Sequence, residues 1–179
     1  MNRVFKKEKA GFTLVELLVV VAIIGVLVSI AIPNFMGAVV RTKVAKAFTE
    51  IRGLGNVVEV YRIDHNSLPA TTSDFTQAIG ISFTVIPKDP FNQAGSRTLE
   101  EGALGEGGYG YYTSADIYWL IVSNGPDNTP DVTSGGINWT AQTVGQLGGW
   151  EGADTGYGYT WYNPDAGIYS SGDLGIGGP

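Results

Sequence analysis

Gly11-Phe12-Thr13-Leu14-Val15-Glu16 opens a run of apolar sequence that continues to Ile32. From Phe12 to Ile32 the only polar side chains are Thr13, Glu16 and Ser29. The run has the length of about 20 residues that lets a helix cross a bilayer. Arg3, Lys6, Lys7 and Lys9 stand before it. Basic residues directly ahead of a span hold that end in the cytoplasm, so the rest of the chain is expected to face outward.

A secretory signal peptide also has a basic start and an apolar core, but its small-residue cleavage site follows the core. Here Ala10-Gly11 precedes the core, and no A-x-A-like site follows Ile32. Processing at that junction would remove the charges and keep the span. An uncleaved single-span anchor is the other alternative.

Glu16 separates a plain anchor from something more specific. An ionised carboxylate inside a bilayer costs on the order of 2.5–3.5 kcal/mol, so such a group is usually kept for a partner. Four residues at a rise of about 1.5 Å put it roughly 6 Å beyond Phe12. A cut after Gly11 would create an ammonium at Phe12 in the same layer, able to pair with Glu16 of its own or a neighbouring chain. The plainer alternative has Glu16 reaching back to the headgroups.

Lys9-Ala10-Gly11 followed by Phe12-Thr13-Leu14-Val15-Glu16-Leu17-Leu18-Val19-Val20 resembles the class III signal of type IV prepilins and type II secretion pseudopilins. The resemblance implies that a prepilin peptidase cuts after Gly11 and methylates the new N-terminus at Phe12. It also implies that Glu16 serves subunit recruitment and pairing. Gly25 and Pro33 sit where that family has its helix-breaking Gly and Pro.

No cysteine occurs among the 179 residues, which excludes a disulfide-stapled domain, thiolate metal sites and cysteine catalysis. Many type IVa pilins close a C-terminal loop with a disulfide, so this departure favours a secretion-type pseudopilin or a disulfide-free pilin. Charge is unevenly divided. Residues 34–62 carry Arg41, Lys43, Lys46, Arg52 and Arg62 against Glu50 and Glu59, whereas residues 63–179 carry Lys88 and Arg97 against thirteen acids. An acidic outer domain repels phosphate, so nucleic acid is not an expected partner. The Arg41, Lys43 and Lys46 cluster opposes the leader's orientation signal, and the resemblance sides with the leader.

From Asn34 onward Val40, Val44, Ala47, Phe48, Ile51, Leu54, Val58 and Tyr61 recur at steps of three and four, the mark of a helix with one face on a core. One helix is expected to run from the membrane to about Asp64, with an interruption possible at Pro33. Gly53 and Gly55 read as points of close packing within it. Asp64 to Pro69 reads as a helix stop and turn, similar to the Tyr-x-x-Asp-x-x-x-x-Pro turn of major pseudopilins, here Tyr61 to Pro69. His65, the only histidine, reads as a solvated turn residue, since triads and multi-histidine metal sites need further partners.

Thr72 or Ser73 can cap a short helix to about Ile79, closed by Gly80. Pro87-Lys88-Asp89-Pro90-Phe91 fixes an extended connector and resembles a string in G-type, or major, pseudopilins. Tyr109 to Thr113 and Ile117 to Ser123 read as strands of an antiparallel sheet. Tyr159 to Tyr162 and Ala166 to Tyr169 are weaker strand candidates. Gly105-Glu106-Gly107-Gly108-Tyr109-Gly110 matches G-x-G-x-x-G only formally, because a strand pattern rather than a helix follows; a flexible loop is expected.

Ser123-Asn124-Gly125-Pro126-Asp127-Asn128-Thr129-Pro130-Asp131 places two carboxylates four apart in a turn-rich segment, and hard Ca²⁺ prefers such oxygen ligands. Its Ser-x-Gly-x-Asp string resembles the calcium loop of major pseudopilins. On that resemblance Asp127 is the first candidate ligand and Asp131 the second, with solvated turn acids as the alternative.

The reading is an α+β, pilin-like fold in which a long N-terminal helix packs on a small antiparallel sheet. Residues 1–11 form a cleaved leader, 12–33 the transmembrane and assembly half of the helix, 34–64 its amphipathic half, and 65–179 an outer domain with a Gly-rich end. The expected function is that of a non-enzymatic subunit. It is stored in the inner membrane and polymerises with itself into a periplasmic or surface fibre, most similar to a type II secretion pseudopilus. Its expected partners are the prepilin peptidase, an inner-membrane assembly platform and minor pseudopilins or pilins. A surface type IV pilin and a monomeric anchored binding module are the alternatives.

Overall fold

The computed structural model describes residues 11–70, 74–78, 85–92, 95, 97, 103–105, 107–114, 117–132, 162 and 172–178. The named elements are α1 (Leu14–His65), β1 (Gly110–Ser114), β2 (Tyr118–Ser123) and β3 (Leu174–Gly178), with one further helical turn at 74–78. The chain divides into two compact units, the first ending at Ala38 and the second beginning at Val39.

In the first unit every residue from Gly11 to Met36 is exposed. A helix apolar on all sides has no polar face to turn outward, and within the first unit this stretch has no cover among the described residues. α1 is long and apolar enough here to cross a membrane. The break anticipated at Gly25 and Pro33 is absent, since α1 runs through both positions. Pro33 offers no N–H to the carbonyl one turn before it. The adjoining turns add side-chain hydrogen bonds from Ser29 Oγ to Val26 O (2.7 Å) and from Asn34 Nδ2 to Ile30 O (3.2 Å).

In the second unit the helical stripe behaves as its spacing predicts. Val40, Val44, Ala47, Ile51, Leu54 and Val58 are buried, with Phe48 and Tyr61 packed at the margin. They meet Leu68, Phe75, Phe91, Tyr109, Tyr111, Trp119, Ile121 and Leu174 in one core. The helix stops at His65, and Asn66 follows at φ 52°, the left-handed conformation that ends many helices.

The sheet has the order β1-β2-β3, antiparallel throughout, with Tyr112 opposite Leu120 and Ile121 opposite Ile176. Both predicted strands form, each beginning one residue later than expected. β3 was not anticipated, because Leu174-Gly175-Ile176-Gly177-Gly178 offers only two side chains with strand preference. Residues 74–78 are helical as expected, while the anticipated caps at Thr72 or Ser73 and at Gly80 lie outside the described residues. Of the two weaker strand candidates, all but Tyr162 lies outside them too. In the loop expected from Gly105 onward, Gly108 N donates to Gly105 O at 3.0 Å, while Glu106 lies outside the described residues.

Trp119 joins helix to sheet. Its Nε1 donates to Glu59 Oε1 on α1 at 2.7 Å. Glycines flank the indole on both elements. A Cβ at Gly55 would lie 2.6 Å from Trp119 Cη2, and one at Gly178 2.7 Å from Nε1. Close packing was expected at Gly53 and Gly55, and at Gly55 the indole occupies the space. Tyr109 makes a second polar tie, its hydroxyl donating to Glu50 Oε2 at 2.6 Å.

These contacts predict a reversal of the ordinary helix preference. Gly55→Ala gains about 1 kcal/mol of helix propensity, yet overpacking against the indole costs about 1–3 kcal/mol. Denaturant unfolding is expected to show a net loss of stability. In a Trp119→Leu background the same change is expected to be neutral or stabilising. Equal effects in both backgrounds would remove the indole as the cause.

Candidate functional site

The junction at the chain's start is open. Gly11, Phe12 and Thr13 precede the first helical residue, Phe12 is 77% exposed, and a Cβ placed on Gly11 would meet nothing within 4 Å. Packing among the described residues therefore does not require glycine at position 11.

Thr13 is the N-cap of α1. Its carbonyl accepts the first helical bond from Leu17 N (3.3 Å), and its Oγ1 accepts from Glu16 N (3.3 Å). Glu16 Oε2 in turn accepts from Thr13 N (2.9 Å) and from Thr13 Oγ1 (2.7 Å). This reciprocal arrangement is a capping box, spelled Thr13-Leu14-Val15-Glu16. Glu16 thus has a partner inside the chain before any ammonium exists at Phe12. The T-x-x-E spacing was legible in the sequence, although the reading of Glu16 as an assembly residue passed over it.

The acidic loop after β2 is a built turn. Gly125 has φ 71° and Asn128 φ 60°, with Asn128 N donating to Gly125 O at 3.0 Å. Asp127 Oδ1 accepts from Thr129 N (3.1 Å), and its Oδ2 accepts from Gly172 N (3.2 Å). A Cβ on Gly125 would lie 2.0 Å from Gly172 O, so loop and C-terminal segment meet backbone to backbone. Among the described residues the buried Asp131 Oδ2 has no hydrogen-bond partner. Burial first, and then the charge of Asp127, push the Asp131 carboxyl above its ordinary range. The structure therefore brings Asp127 and Asp131 into mutual influence. Among the described residues no group of three or more His, Cys, Asp or Glu side chains is arranged to hold a metal.

Two polar hubs that hold this loop were not singled out as site residues. Asp89, in the Pro-Lys-Asp-Pro-Phe connector, accepts at Oδ1 from Phe91 N (2.9 Å) and Ser123 Oγ (2.7 Å), and at Oδ2 from Asn124 N (2.9 Å). Burial raises its pKa, and those three donors oppose the rise. Arg97 is fully buried, with Nη2 on Asp173 Oδ2 at 2.7 Å, Nε on Asn124 Oδ1 at 2.9 Å and Nη1 on Val132 O at 2.6 Å. Asp173 also accepts from Val132 N (2.9 Å) and Asp131 N (3.1 Å). Burial pushes the Asp173 carboxyl up to about 7, against the pull of Arg97 and both N–H groups. One signal pointed to Arg97, since it is one of only two bases after position 62.

His65 is exposed as expected, but it is the last residue of α1 rather than part of the turn, and it stacks on Tyr61 with ring centroids 4.0 Å apart.

Residues 6–32 match the family model described as the prokaryotic N-terminal methylation motif. The chain is 30% identical over 148 residues to the type II secretion system core protein G of Aeromonas hydrophila, an alignment covering 81% of this chain and 94% of that protein. It is 31% identical over 143 residues to the protein of the same name from Dickeya chrysanthemi, covering 75% and 88%. A fimbrial protein of Pseudomonas aeruginosa is 36% identical over 78 residues, 44% of this chain and 51% of that one. No solved structure gives a significant match. With a membrane-length helix whose amphipathic continuation packs on a three-stranded sheet, a methylation motif at its head and that extent of similarity, this chain belongs to the core protein G family of major pseudopilins in the type IV pilin-like superfamily.

Proposed function

We propose that the chain is stored in the inner membrane with its leader in the cytoplasm, cut between Gly11 and Phe12, methylated at Phe12, and assembled through α1 into a fibre of identical subunits. The fibre would be a type II secretion pseudopilus that drives protein export, capped or primed by minor pseudopilins and built on an inner-membrane platform. The observation that carries this reading is the exposure of every residue from Gly11 to Met36 on a helix with no polar side. Lipid can cover that surface in the precursor, and other copies can cover it in the polymer. A surface pilus is the second reading, favoured by the similarity to a fimbrial protein. A long fibre outside the cell would decide for it.

Processing is tested by co-expression with a prepilin peptidase and intact-mass analysis, with a mature start at Phe12 expected. A start at Met1 would favour the plain anchor, and a start beyond Ile32 a secretory signal.

Glu16 has two duties in this account, capping and assembly, and they are separable. Glutamine also completes a capping box, so Glu16→Gln is expected to keep the helix start and to insert into the membrane at least as well as the native chain, a buried charge being removed. Fibre formation is expected to fail, because the Phe12 ammonium loses its counter-charge. Native amounts of pelletable polymer from Glu16→Gln would refute the pairing.

We also propose Ca²⁺ as a ligand of the acidic loop. The donor set fits in kind, with a buried and unpartnered carboxylate oxygen on Asp131 beside the charge of Asp127. Asp127 and Asp131 would hold the ion, which would neutralise their repulsion. Calcium is expected to raise the melting temperature of the detergent-solubilised chain by mass action on the folded state, and Asp127→Ala to abolish that rise. Magnesium is expected to substitute poorly, because it demands tighter octahedral geometry and keeps its waters. Equal melting in calcium and in chelator would leave both acids as turn residues.

A further inference from the structure

Two bases on the outward face of α1, Arg41 and Arg52, have no counter-charge among the described residues. Within 34–62 the acids are Glu50 and Glu59. Glu50 takes the Tyr109 hydroxyl and the Lys46 ammonium (3.7 Å), while Glu59 takes the Trp119 indole and the Arg62 guanidinium (2.8 Å). Both are thereby committed. Arg97, on the other side of the core, is committed to Asp173. Arg41 and Arg52 are exposed, and among the described residues neither has a carboxylate within ion-pair distance.

Arg41 and Arg52 share a face. Eleven residues at 3.6 per turn return to within about 20° of the same direction, roughly 16 Å farther along the axis. Between them lie the exposed small residues Ala45 and Thr49, and the Thr49 hydroxyl is already bonded to Ala45 O at 2.9 Å. Beyond them Ile63 continues the same line, about 20° from Arg52, and Val60 flanks it about 80° round the helix; they are 79% and 51% exposed. The face therefore offers two guanidinium groups with no carboxylate partner among the described residues, a low saddle between them and an apolar end.

We infer that this face of α1, from Arg41 to Ile63, docks the acidic domain of a second copy of this chain, whose carboxylates meet Arg41 and Arg52. The inference rests on the fibre reading given above. Charge decides the occupant. A basic face repels its own image, so two copies do not join face to face about a two-fold axis. Residues 63–179 of another copy carry thirteen acids against two bases; Asp89, Asp173 and Arg97 are buried, which leaves eleven acids against one base to complement the two arginines. Such a contact is heterologous and leaves both surfaces free at the ends, and contacts of that kind extend into filaments. It also answers a difficulty of the fibre, in which close-packed acidic domains repel one another. An anionic lipid surface would attract the two arginines too, but it would repel the acids that follow them. One exposed ion pair contributes little; repetition along a fibre and burial of Val60 and Ile63 make the contact count.

The test uses full-length mature chains assembled as an equal mixture of isotope-labelled and unlabelled copies. In an Arg52→Lys variant, a carbodiimide joins the new amine to any carboxylate in contact, and mass spectrometry identifies the joined peptides. Mixed-isotope peptides linking position 52 to an acid between 63 and 179 are expected. The double variant Arg41→Glu/Arg52→Glu is expected to keep its melting temperature and to lose polymer at low salt by about tenfold or more, since like charges now face each other. Polymer at native levels from the double variant, or links confined to single copies, would overturn the inference. So would native polymer combined with lost binding to vesicles containing anionic lipid, which would make lipid the occupant. Absence of polymer from the native chain would defeat the fibre reading and this inference together, whereas native polymer insensitive to positions 41 and 52 defeats this inference alone.

Discussion

Cover for α1 is the constraint from which the rest of the structure follows. From Leu14 to Met36 its side chains are exposed all round. From Val40 a single stripe faces a core, and the opposite side carries charge. At about 25 cal/mol per Å² of apolar surface, the first stretch represents a large free energy that is recovered only in lipid or against other chains. The second stretch recovers its own by packing on the sheet. One continuous helix therefore does two kinds of work, and the change between them falls close to the division of the chain into its two units.

What holds the second unit together is polar as well as apolar. The chain lacks cysteine, so no covalent bridge joins the acidic loop to the C-terminal strand. Their connection runs through Asp89, Arg97 and Asp173, which tie the connector, β2, the acidic loop and the residue before β3. A buried ion pair adds little relative to apolar residues of similar shape, but breaking one by removing a single partner costs about 3–5 kcal/mol. The pair acts less as a source of stability than as a lock on which segments lie side by side. Gly125 against Gly172, and Gly178 against Trp119, are the places where the locked segments touch too closely for a side chain.

Much of this was legible because it is periodic or chemically odd. The apolar run, the core stripe of α1 and the two aromatic strands each show a spacing that only one element satisfies. β3 was not legible, since its glycines carry no strand signal and its place depends on Trp119, more than fifty residues earlier. The Arg97–Asp173 pair spans 76 positions, and no local pattern connects them. Asp127 and Asp131 were singled out from the loop's composition and its resemblance to a calcium loop, but the Asp131 oxygen left without a donor could be seen only once the neighbouring backbone was in place. Glu16 is a different case. Its capping box with Thr13 is a four-residue signal, and attention to its charge obscured its ordinary role at the helix start.

The central claim is that the apolar face of α1 exchanges lipid for other copies of itself. Because the chain has no cysteine, a single Val19→Cys substitution accepts one fluorophore in the middle of that face. Bilayers with brominated acyl chains quench a probe that touches lipid. The account predicts strong quenching in the unprocessed precursor and its loss once the processed chain enters a fibre. Quenching that persists unchanged in the assembled state would contradict it.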